Sequence, residues 1–324
     1  MRFLNGLIAM SVFALPSRAQ TEAKSDSVPI LGQIGAQKQQ FLWSKLEERI
    51  AEIDRRLDGV LGVAILDLTT GREYLHHGDE IFPQASSIKI PILVELYRQS
   101  QDNSKGAKLT DLYTVRQTDL VHDSDIMLGL TPGVTQITNR DLATMMVAVS
   151  DNSATNVLID RVGMDNVNSM LDHLGLVKTR LRRKMMDLKA AQEGRENVST
   201  PREMMLLLQA LYQDKVLNKG VTEDLFKVLA THKDSALLRG LPTGVRSANK
   251  PGALEGVRND SGIIFVQNRP YVLCIMCTYL SDEGAGEKAI TEIAAASYST
   301  FERLGRASVY GRVISPGIGG PSTK

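Results

Sequence analysis

The sequence predicts an α+β fold, an antiparallel sheet flanked by helices with an all-helical lobe. Three observations predict it. β-forming runs lie near both ends of the chain, the long stretch between them carries apolar residues at helical spacing, and an amphipathic helical pattern precedes the first run and follows the last. With 324 residues and 43% hydrophobic content, the chain can bury the core such a fold needs.

The elements follow in order. Arg2 forms a short positive segment, residues 3–15 are largely apolar, and Pro16-Ser17-Arg18-Ala19 offers small residues for cleavage after Ala19. Residues 1–19 therefore read as a signal peptide, with a short anchor or a misread start as the other readings, and the run is too short for a comfortable membrane span. The mature protein is expected to be secreted, periplasmic where an outer membrane exists, and free of the membrane once cleaved. Residues 20–38 read as a flexible N-terminus. Phe41, Leu42, Leu46, Ile50, Ile53 and Leu57 then recur at helical spacing across 39–57. A β-run over 59–68 carries Val60, Val63, Ile65 and Leu66. It turns at Thr69-Thr70-Gly71, and a returning strand begins at 72–74. Pro83 leads into a helical pattern over 86–97.

The middle of the chain, about 138–176, reads as successive short helices. Residues 178–198 are charged and poorly periodic and read as a long loop. Thr200-Pro201 opens a helix bearing Met204, Leu207, Leu208 and Leu211, with proline at the position helices favour. Strands are expected over 262–266 and 271–279, joined by a turn at Asn268-Arg269-Pro270, and a last helix over 287–304. The folded domain thus spans 39–305, and 306–324 is a tail, Gly- and Pro-rich from about 315 and read there as disordered.

Composition excludes some functions. A net charge of +1, from 38 basic and 37 acidic residues, argues against a nucleic-acid or polyanion binder, which needs a basic face. The five histidines are scattered, and the adjacent His76 and His77 lie in a hairpin, where neighbouring side chains should diverge. No metal and no cofactor is expected. Cys274 and Cys277 make a C-x-x-C inside a strongly β-forming run. Residues three apart on a strand face opposite ways, so these read as packing cysteines rather than a redox or metal pair.

Three short motifs carry chemistry. Ser86-Ser87-Ile88-Lys89 is S-x-x-K, a pattern expected about once by chance in such a chain. Its context adds meaning. Ser86 falls in the first turn of a helix, where free N–H groups favour developing negative charge, and Lys89 lies on the same face. A partly desolvated lysine there can take the hydroxyl proton. Ser150-Asp151-Asn152 follows an apolar helix. Its serine suits proton relay, its asparagine suits an amide contact, and Asp151 suits bracing of the loop. Lys250-Pro251-Gly252 follows an extended run. There a lysine and a glycine on an edge strand suit carboxylate binding and close backbone approach. Taken singly, each also reads as an ordinary cap or turn.

Together, S-x-x-K, S-D-N and K-[TP]-G in this order resemble the class A β-lactamases and related penicillin-binding proteins. The intervals, 64 residues from Ser86 to Ser150 and 100 from there to Lys250, match that layout. So do Phe82-Pro83 and Ser153-Ala154-Thr155-Asn156, and the resemblance spans about 39–304. It implies the serine β-lactamase/D,D-peptidase fold. Ser86 would be the acylated nucleophile, Lys89 its activator, and Ser150 the shuttle to the leaving nitrogen. Asn152 would contact the substrate amide and Lys250 its carboxylate, beside Gly252. The backbone N–H groups of Ser86 and Ala253 would form the oxyanion hole.

Two departures from the family pattern stand out. The E-x-x-L-N loop sequence aligns so that Met185 occupies the glutamate's place and Lys189 the asparagine's, while Asn156, which braces that loop, remains. Losing a positioned general base typically costs about 10²–10⁴-fold in rate. Asp187, Glu193 or Glu196 could substitute if the loop is rebuilt. Second, Pro251 replaces a threonine and removes a hydroxyl and an N–H. The expectation is poor affinity for ordinary penicillins, improved by Pro251→Thr.

Three functions fit these residues. One is β-lactam hydrolysis through Ser86. Another is a D,D-peptidase or penicillin-binding hydrolase with slow deacylation. The third is a non-catalytic sensor of cell-wall fragments or β-lactams. In each the partner is a small β-lactam or peptidoglycan-like molecule, and the protein is expected to act as a monomer.

Overall fold

The computed structural model describes residues 27–102, 106–308 and 310–313, with side-chain surroundings from residue 35. The expected signal peptide at 1–19 and the tail beyond 313 lie outside the described residues.

A long helix, α1 (Ser27–Arg56), leads into β1 (Val60–Asp67) and β2 (Glu73–His76). Short β3 (Phe82–Pro83) precedes a 3₁₀ turn (Ala85–Ile88) that runs directly into α2 (Lys89–Gln101). The helical lobe then follows. Its small ladder of β4 (Leu112–Thr114) and β5 (Gln136–Thr138) is succeeded by α3 (Asn139–Ala148), α4 (Asn152–Val162) and α5 (Met164–His173). Next come α6 (Leu188–Gln192), β6 (Val198–Ser199), α7 (Pro201–Tyr212), α8 (Lys219–Leu229) and α9 (Ala236–Arg239). The chain closes with β7 (Ser247–Leu254), β8 (Val257–Ile264), β9 (Tyr271–Thr278) and α10 (Glu283–Arg306).

Local chemistry sets the boundaries that matter for the site. Thr138 caps α3, accepting the Asp141 N–H while the Asp141 carboxylate reaches back to Thr138. Asp151 caps α4 through the Ala154 N–H at 2.9 Å. Pro201 takes the first position of α7 behind the Thr200 cap.

The sheet has five strands in the order β2-β1-β9-β8-β7, every neighbouring pair antiparallel. Strand alternation divides its side chains between two cores. Ala64, Leu66, Val272, Cys274 and Met276 pack into the core of the helical lobe with Ile92, Leu96, Leu158 and Leu208. Leu61, Val63, Ile65, Leu273, Ile275 and Cys277 face the other way, onto Trp43, Ile50, Ile290 and Phe301 of α1 and α10. Cys274 and Cys277 fall in different cores, as the strand period requires, and both thiols are free. Among the described residues no helix is long and apolar enough to cross a membrane.

The structure corrects the sequence reading at several points. The first helix begins at Ser27, not at 39, because Ala36, Gln37, Lys38 and Gln39 are good helix formers that continue it without an apolar stripe. The second strand of the C-terminal hairpin pair starts at Val257 rather than 262. Its Asn259-Asp260-Ser261 run is buried polar sequence that hides the alternation. Patterning assigns no element to 213–245, where α8 and α9 lie. The long loop at 178–198 carries short α6 and a bridge from Arg180 to Val198. Finally, His76 and His77 do not diverge. His77 leaves the strand with φ 46°, in the left-handed region, and its ring comes to 4.4 Å from that of His76.

Candidate active site

Ser86 sits in the 3₁₀ turn at the mouth of α2, and Lys89 opens the helix itself, fully buried. The turn is held against the edge strand β7. Ser87 Oγ donates to the Lys250 carbonyl at 3.1 Å, and Asn259 Nδ2 donates to the Pro83 carbonyl at 2.7 Å. A Cβ on Gly252 would stand 2.7 Å from the Gln84 carbonyl oxygen and 3.0 Å from the Ser86 nitrogen. Only a glycine lets the strand come this close to the turn.

The S-D-N segment joins α3 to α4 and faces the turn from the helical lobe. Asp151 is buried and accepts N–H bonds from Ile126 and Met127 at 3.0 and 2.9 Å, besides capping α4. It braces the loop, as its residue type suggests. Ser150 is held at φ 59° and Ala85, just before Ser86, at φ 48°. A left-handed conformation costs a non-glycine residue roughly 1–2 kcal/mol, and such strain concentrates at functional sites.

The side chains converge on one hydroxyl. Ser150 Oγ lies 2.8 Å from Ser86 Oγ, 2.9 Å from Lys89 Nζ and 3.1 Å from Lys250 Nζ. Lys89 Nζ also donates to the Ser150 carbonyl at 2.6 Å and to Asn152 Oδ1 at 2.9 Å. Burial drives the Lys89 ammonium well below the usual lysine range; the nearby Lys250 charge adds to this and Asp151 opposes it. Burial likewise lowers Lys250 to about 7, with Lys233 adding and Asp260 opposing. Ser86, Ser150, Asn152 and Lys250 line a cleft of about 400 Å³ between the sheet edge and the helical lobe, bounded also by Asp123, Asp125, Arg239 and Asn259, with Lys89 buried behind it. Such an arrangement can pass a proton from one hydroxyl through another to a lysine amine whose basicity burial lowers, with a second lysine beside it.

All the catalytic and binding candidates read from the sequence meet here: Ser86, Lys89, Ser150, Asn152, Lys250, Gly252 and Ala253. Sequence reasoning missed the support behind Lys250. Buried Asp260 accepts from Ser235 Oγ at 2.6 Å, Asn249 Nδ2 at 2.7 Å and the Leu237 N–H at 3.2 Å, and Lys233 lies within its field. The run of polar residues within β8 was the available signal.

Met185 is buried, and its backbone is clasped by Asn156. Asn156 Nδ2 donates to the Met185 carbonyl at 3.1 Å, and the Met185 N–H donates to Asn156 Oδ1 at 2.8 Å. None of the three nearby carboxylates lines the cleft that holds Ser86. Asp187 caps α6 through the Ala190 N–H, Glu193 pairs with Arg195, and Glu196 pairs with Arg183.

A helix-borne serine beside a buried lysine, in a cleft between an antiparallel sheet and a helical lobe, defines a serine hydrolase. Comparison with known proteins gives the family. A model of the β-lactamase enzyme family matches residues 45–301. The β-lactamase OXY-1 of Klebsiella oxytoca is 26% identical over 280 residues, covering 84% of this chain and 92% of that enzyme. The β-lactamase ROB-1 of Haemophilus influenzae is 29% identical over 256 residues, 77% of this chain and 82% of that one. Among solved structures, the β-lactamase of Sphaerobacter thermophilus superposes with a TM-score of 0.73 at 32% identity, covering 80% of this chain and 97% of that one. PBP-A superposes at 0.72 with 26% identity and the same coverage. The chain belongs to the β-lactamase enzyme family, with the class A fold, and is a β-lactamase-like serine hydrolase.

Proposed function

We propose that Ser86 opens β-lactams or related amides by acylation and that the ester is then released slowly. The hydroxyl cluster of Ser86, Ser150 and Lys89 carries this reading. Neutral Lys89 draws the Ser86 proton through Ser150 Oγ as Ser86 Oγ attacks the carbonyl carbon. The C–N bond breaks, an ester forms on Ser86, and the same proton returns through Ser150 to the leaving nitrogen. Pro251 stands on the sheet's edge, where a residue without an N–H is tolerated if its nitrogen faces away from β8. Ala253, two residues on, then points its N–H to the same outer side. Beside the Ser86 N–H it completes the oxyanion hole. Lys250 attracts the substrate carboxylate without help from a threonine hydroxyl, and Asn152 binds the side-chain amide.

Release is the weak step. Methionine cannot activate water, and the neighbouring carboxylates are committed to a cap and two arginines. A D,D-peptidase or penicillin-binding hydrolase is therefore the second reading, with Met185 the observation that favours it. A leucine-to-glutamate mutant of PBP-A has been seen as an acyl-enzyme with penicillin G, which supports a stable ester on this architecture. A sensor with no chemistry fits poorly with a complete proton path. The signal-peptide pattern expected at 1–19 supports a periplasmic or secreted site of action.

The deciding experiment mixes the protein with excess chromogenic cephalosporin. A burst of about one equivalent and then a slow phase is expected, both lost in Ser86→Ala. Met185→Glu should quicken the slow phase by about 10²-fold or more. Fast, sustained turnover by the unaltered protein would instead make it an efficient β-lactamase with another base. The absence of any Ser86-dependent signal would sink the proposal.

A further inference from the structure

The far edge of the sheet holds a second cluster of functional side chains. His76 ends β2, His77 follows it, and Asp54 projects from the last turn of α1. One ligand atom from each lies within 4.8 Å of the other two. Asp54 and His76 are partly buried and His77 is exposed, so the group is open to solvent on one side only. We propose that Asp54, His76 and His77 form a binding site for a borderline divalent transition-metal ion of the zinc type, clipping α1 to the β1–β2 hairpin.

Three observations carry the proposal. First, the donor set is right: two imidazoles and one carboxylate suit Zn²⁺, with a fourth position left for water. Tetrahedral zinc with bonds of about 2.0–2.1 Å holds its ligand atoms roughly 3.3 Å apart. His76 Nε2 and Asp54 Oδ2 already stand 3.0 Å apart, so chiefly the exposed His77 ring has to close in. Second, His76 Nε2 is buried without a well-directed hydrogen bond among the described residues, despite that short contact. A simple ion pair would orient the N–H along the contact. Third, His77 pays for its place. Its backbone adopts φ 46°, which turns its ring alongside that of His76 instead of across the sheet, and its Nδ1 lies 2.9 Å from the Leu61 carbonyl oxygen. Donation to that carbonyl keeps the proton on Nδ1 and leaves Nε2 with its lone pair, the outer-sphere arrangement that orients metal-binding histidines. A His–Asp pair alone needs neither the strain nor the second ring.

The site lies on β2, while Lys250 lies on β7 at the opposite edge, four strand spacings or roughly 19 Å away. Its effect is therefore on stability and not on the Ser86 chemistry.

The test titrates the full chain, stripped with chelator, with Zn²⁺ alone and with Co²⁺ as the spectroscopic probe. One Co²⁺ per chain is expected, with a visible absorption of tetrahedral intensity. Saturating Zn²⁺ should raise Tm by about 5 °C. His76→Gln, His77→Gln and Asp54→Asn should each weaken Co²⁺ binding by at least about tenfold and remove the Tm rise. His122→Gln, elsewhere on the surface, should change neither. Metal-free Tm values near that of the unaltered chain show that the variants are folded. The proposal is overturned if no ion binds, or if the three variants respond to Zn²⁺ and Co²⁺ as the unaltered chain does.

Discussion

At the residue, the two buried lysines divide one task by their surroundings. Lys89 is packed at the helix mouth with its nitrogen aimed at Ser150, and burial drives its ammonium well below the usual lysine range, which favours the proton acceptance proposed for it. Lys250 has the same neighbour but faces the cleft, and its value of about 7 places its charge at the edge of the neutral range. The sign follows directly. A lysine lowered to about 7 is charged below that pH and neutral above it, so attraction for a substrate carboxylate is present below pH 7 and lost above. A charge-assisted hydrogen bond is worth about 1.5–3 kcal/mol, so KM for a carboxylate-bearing substrate should climb about 10- to 100-fold between pH 7 and 9. In Lys250→Arg, which stays charged, KM should remain level across that range. Steady-state kinetics on both forms checks this, and a level KM in the unaltered protein would remove Lys250 from carboxylate binding. Motif spacing made the meeting of these residues legible. It did not show Asp260 behind Lys250, because Asn249, Ser235 and Asp260 become neighbours only after β7, β8 and the α9 cap have assembled.

At the level of elements, the site is a contact between an edge strand and a helix mouth, and Gly252 sets their separation. Its missing side chain lets β7 pass beside Gln84, Ser86 and Ser87, all through backbone atoms that have no flexible end to move aside. Gly252→Ala should therefore push the strand outward. The cost should be about 1–3 kcal/mol in stability, as for other overpacked contacts. A displacement of about 1 Å at the proposed oxyanion hole should also slow Ser86 acylation by about 10²-fold. Stopped-flow acylation together with chemical denaturation measures both, and a variant that acylates at the normal rate would show that the contact does not position the hole. α7 was legible from its apolar face at helical spacing, and β9 from an unbroken β-forming run buried on both faces. The stretch 213–245 was not, although Asn218 and Ser235 each cap a helix there. α9 has only four residues, too few to show a period, whereas α8 places Thr222, Leu225, Phe226, Val228 and Leu229 on one buried face, a helical signal that was present in the sequence. The convergence of His76 and His77 was illegible for a related reason: a period-two rule holds within a strand, and the strand ends between them.

At the scale of the whole molecule, one sheet serves two cores, and this couples the cleft to a layer that never touches it. Within β1, Val63 and Ile65 pack toward α1 and α10 while Ala64 and Leu66 pack toward the helical lobe; β9 repeats the pattern with Leu273 and Ile275 against Val272 and Cys274. Neither core can lose its strands without exposing the other. Trp43, the only tryptophan of the chain, is buried in the back layer. It meets Phe301 edge to face at 5.4 Å, and Phe301 in turn stacks on Tyr271 at 4.0 Å. Its fluorescence therefore reports the layer farthest from Ser86, whereas acylation reports the cleft. In a urea titration the two signals should fall together at one midpoint, because the shared strands make the domain a single cooperative unit. Trp43→Phe should lower that midpoint through the cavity it leaves, by an amount equivalent to roughly 1–3 kcal/mol, without changing the acylation rate of the protein still folded. Fluorescence lost at a urea concentration where acylation persists would mean that α1 and α10 unfold on their own, and that the sheet holds its catalytic edge with only one face covered.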